Sequence, residues 1–219
     1  MTSALPAPHF YQIDNATLVL DASPISALDK AQKQRMINAL ARQLLLQPDY
    51  VDVVSADQTL TLYGRSHLEL ERVQQHLLLM WQQFDEDSSQ SQFHEIKVQY
   101  GGKHGLDLAS VAKSCGLSER EVINIHTSGL YTVDFIGFQP GFAYISGLDS
   151  RLQLPRLATP RTLVPKGSVA IAADKTAIYP ANSPGGWHIL GHTEQTLFDP
   201  TKQPPALFAP GDTLRFVEA

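Results

Sequence analysis

The 219-residue sequence contains a single cysteine, Cys115, and no long apolar run. One cysteine cannot form an internal disulfide, and it excludes zinc sites built from cysteine pairs. No segment reaches the roughly 18 consecutive apolar residues that a membrane helix requires. Residues 1–8 carry neither a basic nor an apolar stretch, so a secretory signal peptide is not expected. These absences predict a cytoplasmic protein with no membrane partner.

Clusters of basic residues are lacking as well. The net charge is −5, and no run of five or six basic residues occurs. Nucleic acids and anionic membranes bind to concentrated positive charge, so neither is expected as a partner. The G-x-x-x-x-G-K-[ST] phosphate loop, the G-x-G-x-x-G pattern and the kinase motifs are also missing. A nucleotide would therefore need an unfamiliar site or the help of another chain.

Glycine is scarce in the first part of the chain. Residues 1–84 contain only Gly64, whereas residues 93–219 contain the other thirteen glycines. Residues 85–92, between these parts, are acidic and polar, which is typical of an exposed linker. The sequence therefore predicts two domains, 1–84 and 93–219, each of ordinary domain size.

The first domain is predicted to be a small α/β module. Strand patterns occur at 17–20, 50–54 and 59–63, and helical spacing of apolar residues occurs at 26–47 and after residue 66. Ser66 and Glu69 form a capping-box pattern at the start of the second helix. The order β-α-β-β-α favours helices on one face of an antiparallel sheet, and we predict a ferredoxin-like arrangement.

The second domain is predicted to be mainly β. A strand at 93–100 is followed by helices that begin at Asp107 and Ser118, and Gly116 ends the first of them. Short strands punctuated by glycine and proline then follow, at 131–135, 168–172, 176–179, 187–190 and 213–217. Many short strands with frequent turns indicate a barrel or a sandwich. The predicted fold class is therefore α+β.

An aromatic segment, residues 137–144, is the first of three with chemical potential. Two glycines and Pro140 surround Phe138, Phe142 and Tyr144. Such a segment suits neither a helix nor a central strand, but it suits a fixed loop that presents rings to a ligand. A tight turn with core aromatics is the alternative.

The second segment carries cations beside prolines. Arg151, Arg156, Arg161 and Lys166 follow one another at intervals of five residues, and prolines stand beside the last three. A backbone stiffened by proline can hold such groups ready to bind a carboxylate or a phosphate. Ordinary solvated surface charge is the alternative.

The third segment, residues 183–192, contains a Pro-Gly turn. Gly185 and Gly186 would let a ligand approach the backbone, whose N–H groups can hold an oxyanion. Trp187 and Ser183 are also predicted to contact substrate. Ser183 is a candidate nucleophile, although no nucleophile elbow surrounds it.

Histidine supplies the candidate for proton transfer. His126 ends a predicted helix, and a helix C-terminus favours the imidazolium, which predicts a pKa raised towards neutrality. His188 and His192 lack a third ligand and carboxylate support, and no H-E-x-x-H pattern occurs. We therefore predict no tightly bound metal.

A family resemblance joins these segments. Residues 137–191, with Tyr100, Asp107, His126 and Gly211-Asp212, resemble the family that contains the B subunit of bacterial ATP-dependent 5-oxoprolinase, the KipI kinase inhibitor and the allophanate hydrolase subunit 1 domain. The resemblance implies that the second domain is a cyclophilin-like β-barrel of the carboxyltransferase type. One departure is visible at residues 172–174, Ala-Ala-Asp, where the family usually has a glycine.

The resemblance also implies an activity and partners. It implies a component of an enzyme, inactive alone, that converts 5-oxoproline to glutamate together with the A subunit and a homologous C subunit. ATP, with Mg²⁺, would be bound jointly with a partner. The alternative is a KipI-like inhibitor of a sensor histidine kinase, in which the aromatic segment would dock a partner protein. A prolyl isomerase would follow from the barrel alone, and a fold does not establish a function.

Catalytic roles follow for four residues. Phosphorylation of an inert lactam places negative charge on oxygen, which cations can stabilise. Arg156, Arg161 and Lys166 are predicted to supply that stabilisation, and His126 to transfer a proton.

Overall fold

The computed structural model describes residues 5–84 and 91–219. The chain divides into two compact units, Met1–Gln90 and Ser91–Ala219. The predicted linker, residues 85–92, lies outside the described residues except for its last two. The fold is mixed α/β and includes a closed seven-stranded barrel, which confirms the predicted class in outline. No helix in the described ranges is long and apolar enough to cross a membrane.

The first unit packs two helices on an antiparallel sheet. Its elements are β1 (His9–Asp14), β2 (Thr17–Asp21), α1 (Lys30–Leu44), β3 (Tyr50–Ala56), β4 (Thr59–Gly64) and α2 (Leu70–Gln82). The strand order is β1-β2-β4-β3. Alternate residues of a strand point to opposite faces, so Leu18, Leu20 and Leu60 share one face. That face is buried together with Trp81 of α2 in a single apolar core.

The ferredoxin-like arrangement is not confirmed. A ferredoxin-like unit has the order β-α-β-β-α-β, whereas the described part of the first unit has β-β-α-β-β-α. Strand β1 precedes the others and forms the sheet edge beside β2. This strand was not predicted, because most of its residues are exposed and it lacks the apolar alternation of a half-buried strand.

The start of α2 corrects a second prediction. Ser66 and Glu69 do not form a capping box, since Glu69 at the N-cap makes no side-chain hydrogen bond with the helix. The preceding residues are held by the β1–β2 hairpin, because the Leu68 N–H donates to the Asn15 carbonyl at 2.9 Å. Leu68 is also buried in the core. Tertiary contacts therefore override the local helix signal.

The second unit is built around the barrel. Its elements are β5 (Phe93–Tyr100), α3 (Leu108–Cys115), α4 (Glu119–Ser128), β6 (Tyr131–Ile136), β7 (Ala143–Ser146), β8 (Arg161–Val164), β9 (Ser168–Ala172), β10 (Lys175–Ile178), β11 (Ser183–Gly185), β12 (His188–His192) and β13 (Thr213–Glu218). The barrel closes in the order β10-β7-β6-β13-β5-β12-β9, which is compatible with a cyclophilin-like fold. Strands β8 and β11 form a separate two-stranded ribbon.

The helix signals of the second unit were predicted correctly. Gly116 ends α3 with φ 68°, in the left-handed region where glycine is favoured. Ser118 and Glu121 form the capping box that begins α4. Ala173 has φ 49° in the β9–β10 turn, so alanine occupies a left-handed position there at a cost of about 1–2 kcal/mol.

Two apolar clusters lie on opposite faces of β9. Val169 and Ile171 belong to the larger cluster, which includes residues of α3 and α4. Ala170 and Ala172 point the other way and join a smaller cluster that contains aromatic residues. The three segments predicted to carry chemistry contribute to this smaller cluster.

Candidate functional site

Five rings form what we call the aromatic cluster: Phe138, Phe142, Tyr144, Tyr179 and Trp187. Phe142 meets Phe138, Tyr144, Tyr179 and Trp187 edge-on, with centroid distances of 5.2, 5.1, 5.3 and 5.8 Å. These distances are typical of edge-to-face packing. Phe142 is buried, whereas Phe138 is 62% exposed. The aromatic cluster therefore runs from the core to the surface.

Tyr179 links the aromatic cluster to two of the predicted cations. Burial raises the pKa of the Tyr179 hydroxyl above its ordinary value, and a hydrogen bond with the Trp187 backbone and, to a smaller extent, the charges of Arg156 and Arg161 oppose that rise. Arg161 pairs with Gly185, and Leu157, the neighbour of Arg156, bonds to Gly186, so both arginines lie on segments that meet the turn beside Tyr179. Tyr144 also acts on this hydroxyl. The structure thus joins the predicted aromatic and cationic segments.

Glycine allows the β8–β11 ribbon to approach Tyr179. Gly185 pairs with Arg161 across the ribbon. A Cβ atom at Gly185 would overlap the hydroxyl oxygen of Tyr179, so only glycine fits there. The carbonyl of Gly186 accepts a hydrogen bond of 2.8 Å from the Leu157 N–H, which ties the loop at 155–160 to the same place.

A buried carboxylate holds Arg161. The Arg161 Nη2 atom donates to Asp107 Oδ1 at 2.6 Å, and the Ile189 N–H donates to Asp107 Oδ2 at 2.7 Å. The side chains of Arg161 and Asp107 are 28% and 8% exposed. Asp107 stands at the N-cap of α3 but makes no side-chain bond to that helix, because its oxygens serve these two donors.

One terminal nitrogen of Arg161, Nη1, takes no part in the bond to Asp107. This atom is shielded from solvent and has no hydrogen-bond acceptor among the described residues. A buried, unpaired donor on a charged group is costly, at about 1–3 kcal/mol or more. Such an atom is a candidate contact for a ligand.

Lys166, the third predicted cation, does not join Arg156 and Arg161 beside the aromatic cluster. Its backbone N–H donates to Asn182 Oδ1, and its carbonyl accepts from the His192 ring. Hydrogen bonds from Thr201 lower the pKa of Asp199, and Lys166 adds a smaller electrostatic contribution to that shift. No contact among the described residues joins Lys166 to the aromatic cluster.

Two further residues that were predicted to contact substrate are Pro140 and Ser183. Pro140 is exposed in the turn between Phe138 and Phe142. The Ser183 Oγ is buried without a hydrogen-bond partner in the described ranges, so no general base activates it as a nucleophile.

The expected rise in the pKa of His126 is wrong. Burial lowers the pKa of His126 from 6.5 to about 3. The cost of burying the charged imidazolium therefore exceeds any stabilisation that it gains from the helix C-terminus. The Tyr100 hydroxyl lies 2.7 Å from Nδ1, and Thr176 Oγ1 lies 3.2 Å from Nε2. Because Thr176 donates to the Ala170 carbonyl, Nε2 carries the hydrogen and Nδ1 accepts. The ring also stacks on Phe216.

His188 and His192, the two other histidines considered from the sequence, make hydrogen bonds to the main chain. His188 Nε2 donates to the Pro155 carbonyl at 2.8 Å, and His192 Nε2 donates to the Lys166 carbonyl at 3.1 Å. Among the described residues, no group of three or more His, Cys, Asp or Glu side chains is arranged to hold a metal ion.

Comparison with known proteins identifies the family. The sequence matches the carboxyltransferase domain, subdomain C and D, over residues 8–208. The chain belongs to the carboxyltransferase-domain family. It is 42% identical over 209 residues to the 5-oxoprolinase B subunit of Escherichia coli O157:H7, covering 94% of each chain. It is 40% identical over 205 residues to that of Haemophilus influenzae, covering 94% of this chain and 95% of the relative. The resemblance drawn from the sequence is confirmed.

A solved structure shares the fold of this carboxyltransferase-domain chain. The crystal structure of TTHA0988 is 38% identical with a TM-score of 0.75. The match covers 86% of this chain but 37% of TTHA0988, so the same fold forms part of a longer polypeptide there.

The roles of Tyr179 and Asp107 in this carboxyltransferase-domain chain were not predicted from the sequence. The sequence places Tyr179 at the end of a predicted strand, and it places Asp107 at the start of a helix and within the family resemblance, but it assigns neither residue a contact in the site. A carboxylate before a helix has the same local signal whether it caps that helix or pairs with an arginine 54 positions away. Only the fold distinguishes these two cases.

Proposed function

We propose that this chain is the B subunit of an ATP-dependent 5-oxoprolinase, which opens 5-oxoproline to glutamate together with an A subunit and a homologous C subunit. The single observation that carries this proposal is the similarity, over 94% of the chain, to two proteins that bear the name of the 5-oxoprolinase B subunit. Those names favour the enzyme component over the KipI-like kinase inhibitor.

The chemistry needs a site that tolerates negative charge. Transfer of the ATP γ-phosphoryl group to the lactam oxygen gives ADP and an activated ring. Water then attacks the carbonyl carbon and the ring C–N bond breaks, which leaves an acyl phosphate that a second water hydrolyses to glutamate and phosphate. Arg156 and Arg161 stabilise the negative charge that develops on oxygen beside the aromatic cluster.

A second polypeptide completes the site. Phe138 and Arg156 are exposed at its edge, so this chain alone does not exclude water from the reacting groups. ATP and Mg²⁺ are held jointly with that partner, since the sequence has no phosphate loop. The complex works in the cytoplasm, and the isolated chain is inactive.

The experiment that tests this proposal is reconstitution with the A and C subunits. We expect glutamate release from 5-oxoproline that depends on ATP and on all three proteins. We expect Arg161→Ala to lower turnover by about 100-fold or more, since removal of one donor to an oxyanion costs that much in other enzymes.

The matched control is Arg151→Ala. Arg151 pairs with Asp149 on the surface at 2.8 Å, so its loss removes a similar ion pair away from the site. Full turnover by Arg161→Ala, or no turnover by the complete wild-type complex, would refute the proposal. Inhibition of a histidine kinase by the isolated chain would favour the alternative function.

A further inference from the structure

The two terminal nitrogens of Arg161 are in different situations. Nη2 is bound to Asp107 at 2.6 Å, whereas Nη1 has no acceptor among the described residues. A guanidinium group presents its donors in a rigid planar fork, so fixing one nitrogen fixes the direction of the other. Asp107 therefore determines where Nη1 points.

Asp107 is itself held firmly. Its other oxygen accepts from the Ile189 N–H of β12, a strand of the closed barrel. The carboxylate is almost fully buried, which limits its movement. The pair is thus anchored to the rigid part of the second unit, although Arg161 begins the β8–β11 ribbon outside the barrel.

The charges around the site do not cancel. Asp107 neutralises Arg161, whereas the exposed Arg156 has no ion pair among the described residues, which leaves one positive charge in excess. Tyr179 adds no charge at neutral pH, because burial raises the pKa of its hydroxyl further above the ordinary value. A site with one excess cation and a spare guanidinium donor suits a ligand with a single carboxylate.

We propose that Asp107 is a positioning residue that directs Nη1 of Arg161, beside Arg156, to the carboxylate of the substrate. This assignment rests on the proposed function, because 5-oxoproline carries one carboxylate next to its lactam ring. The pair then selects 5-oxoproline over 5-oxoprolinamide, its neutral carboxamide. Nη1 is shielded from solvent, so the carboxylate displaces covering side chains as it enters.

The decisive variant is Arg161→Lys. A lysine keeps one cationic nitrogen for Asp107 and keeps the positive charge beside the oxygen on which negative charge develops, so the ion pair, the thermal stability and the charge stabilisation of the reaction are retained. It has no second nitrogen for the substrate. In the complex with the A and C subunits, we expect kcat/KM for 5-oxoproline to fall about 10- to 100-fold, the size of one lost charge-assisted hydrogen bond. The loss appears mainly in KM, and kcat/KM for 5-oxoprolinamide changes little.

Two further variants separate positioning from stability. Asp107→Asn keeps an acceptor for the Ile189 N–H but loses the charge that orients Arg161, so the preference for the carboxylate falls by a smaller factor than in Arg161→Lys. Arg151→Lys, at the surface pair with Asp149, leaves the preference unchanged. An unchanged preference in Arg161→Lys, or an equal loss for both substrates, would overturn the assignment.

A binding measurement distinguishes this assignment from the proposed function. Trp187 belongs to the aromatic cluster and is 6% exposed, whereas Trp81 is buried in the other unit. If the complex does not hydrolyse 5-oxoproline, the isolated chain is titrated with 5-oxoproline and with the carboxamide while Trp187 fluorescence is recorded. Weaker binding of 5-oxoproline alone in Arg161→Lys supports the assignment. No response of the wild-type chain to 5-oxoproline overturns it.

Discussion

His126 and Arg161 belong to two separate polar networks in the second unit. In the first, each ring nitrogen of His126 has a partner, and the ring is neutral and stacked on Phe216. In the second, Asp107 satisfies one nitrogen of Arg161, and another is buried without an acceptor in the part of the chain that the structure describes. Both residues are predicted from the sequence to be catalytic, but their surroundings differ.

The difference shows how to separate a structural polar group from a functional one. Buried polar groups in native proteins are nearly always paired, and a complete network makes the fold specific. The His126 network is complete, so nothing remains for it to bind. The Arg161 network is incomplete and lies beside the partly exposed aromatic cluster. Completeness of hydrogen bonding, rather than residue type, distinguishes the two sites.

The largest expected effect is on stability, from His126→Leu. The change leaves Tyr100 and Thr176 without their ring partners, and we expect a loss of about 2–4 kcal/mol in the free energy of unfolding. Hydrogen exchange of barrel amides in the whole chain measures it. Turnover by the reconstituted complex, per folded molecule, should be unchanged. If His126→Leu kept its full stability but lost turnover, His126 would have a functional role, as Arg161 is proposed to have, and the contrast between the two networks would fail.

A pH dependence of intermediate size sharpens the same contrast. His126 stays neutral in the folded chain down to a pKa of about 3, whereas the unfolded chain protonates it below 6.5. The unfolded state therefore binds more protons in this range. The contribution of His126 to stability is complete above pH 6.5 and falls by about 1.4 kcal/mol per pH unit on acidification. Urea unfolding at pH 7, 6 and 5 measures the slope, which His126→Gln should reduce. An identical slope in the variant contradicts the prediction.

The smallest expected effect belongs to Lys166→Ala. Lys166 is exposed, and its charge acts on Asp199 rather than on Tyr179. We expect a change in unfolding free energy within about 0.5 kcal/mol, and turnover close to that of the wild-type complex. A loss of turnover comparable with that of Arg161→Ala would place Lys166 in the site after all.

Local signals predicted most of the regular structure. The apolar periodicity of α1, the capping box at Ser118 and the C-cap at Gly116 all depend on residues a few positions apart. Strands β7, β8 and β11, which have four, four and three residues, were not predicted. Strands this short carry too little alternation to be recognised, and their pairing depends on distant partners.

The candidate site was predicted in part for the same reason. Phe142, Tyr144 and Trp187 were recognised by type, and the fold packs them together. The regular spacing of the cations was misleading, because five residues of extended chain span about 16 Å. Arg161 begins β8 and Lys166 follows its end, so the strand separates them. The backbone hydrogen bond between Leu157 and Gly186 brings the segment that contains Arg156 back towards Arg161.

The parallel pairing of β5 with β13 governs the order in which the second unit can form. Phe93 lies opposite Thr213, so the first strand of the barrel pairs with the last. Contacts between distant residues are slow to form because a long loop must close first. During synthesis, β5 lacks this neighbour until β13 has emerged from the ribosome, so the barrel closes as a late event. A chain cut short before residue 213 would therefore expose an open sheet, which chaperones or proteases would recognise by its unpaired edges.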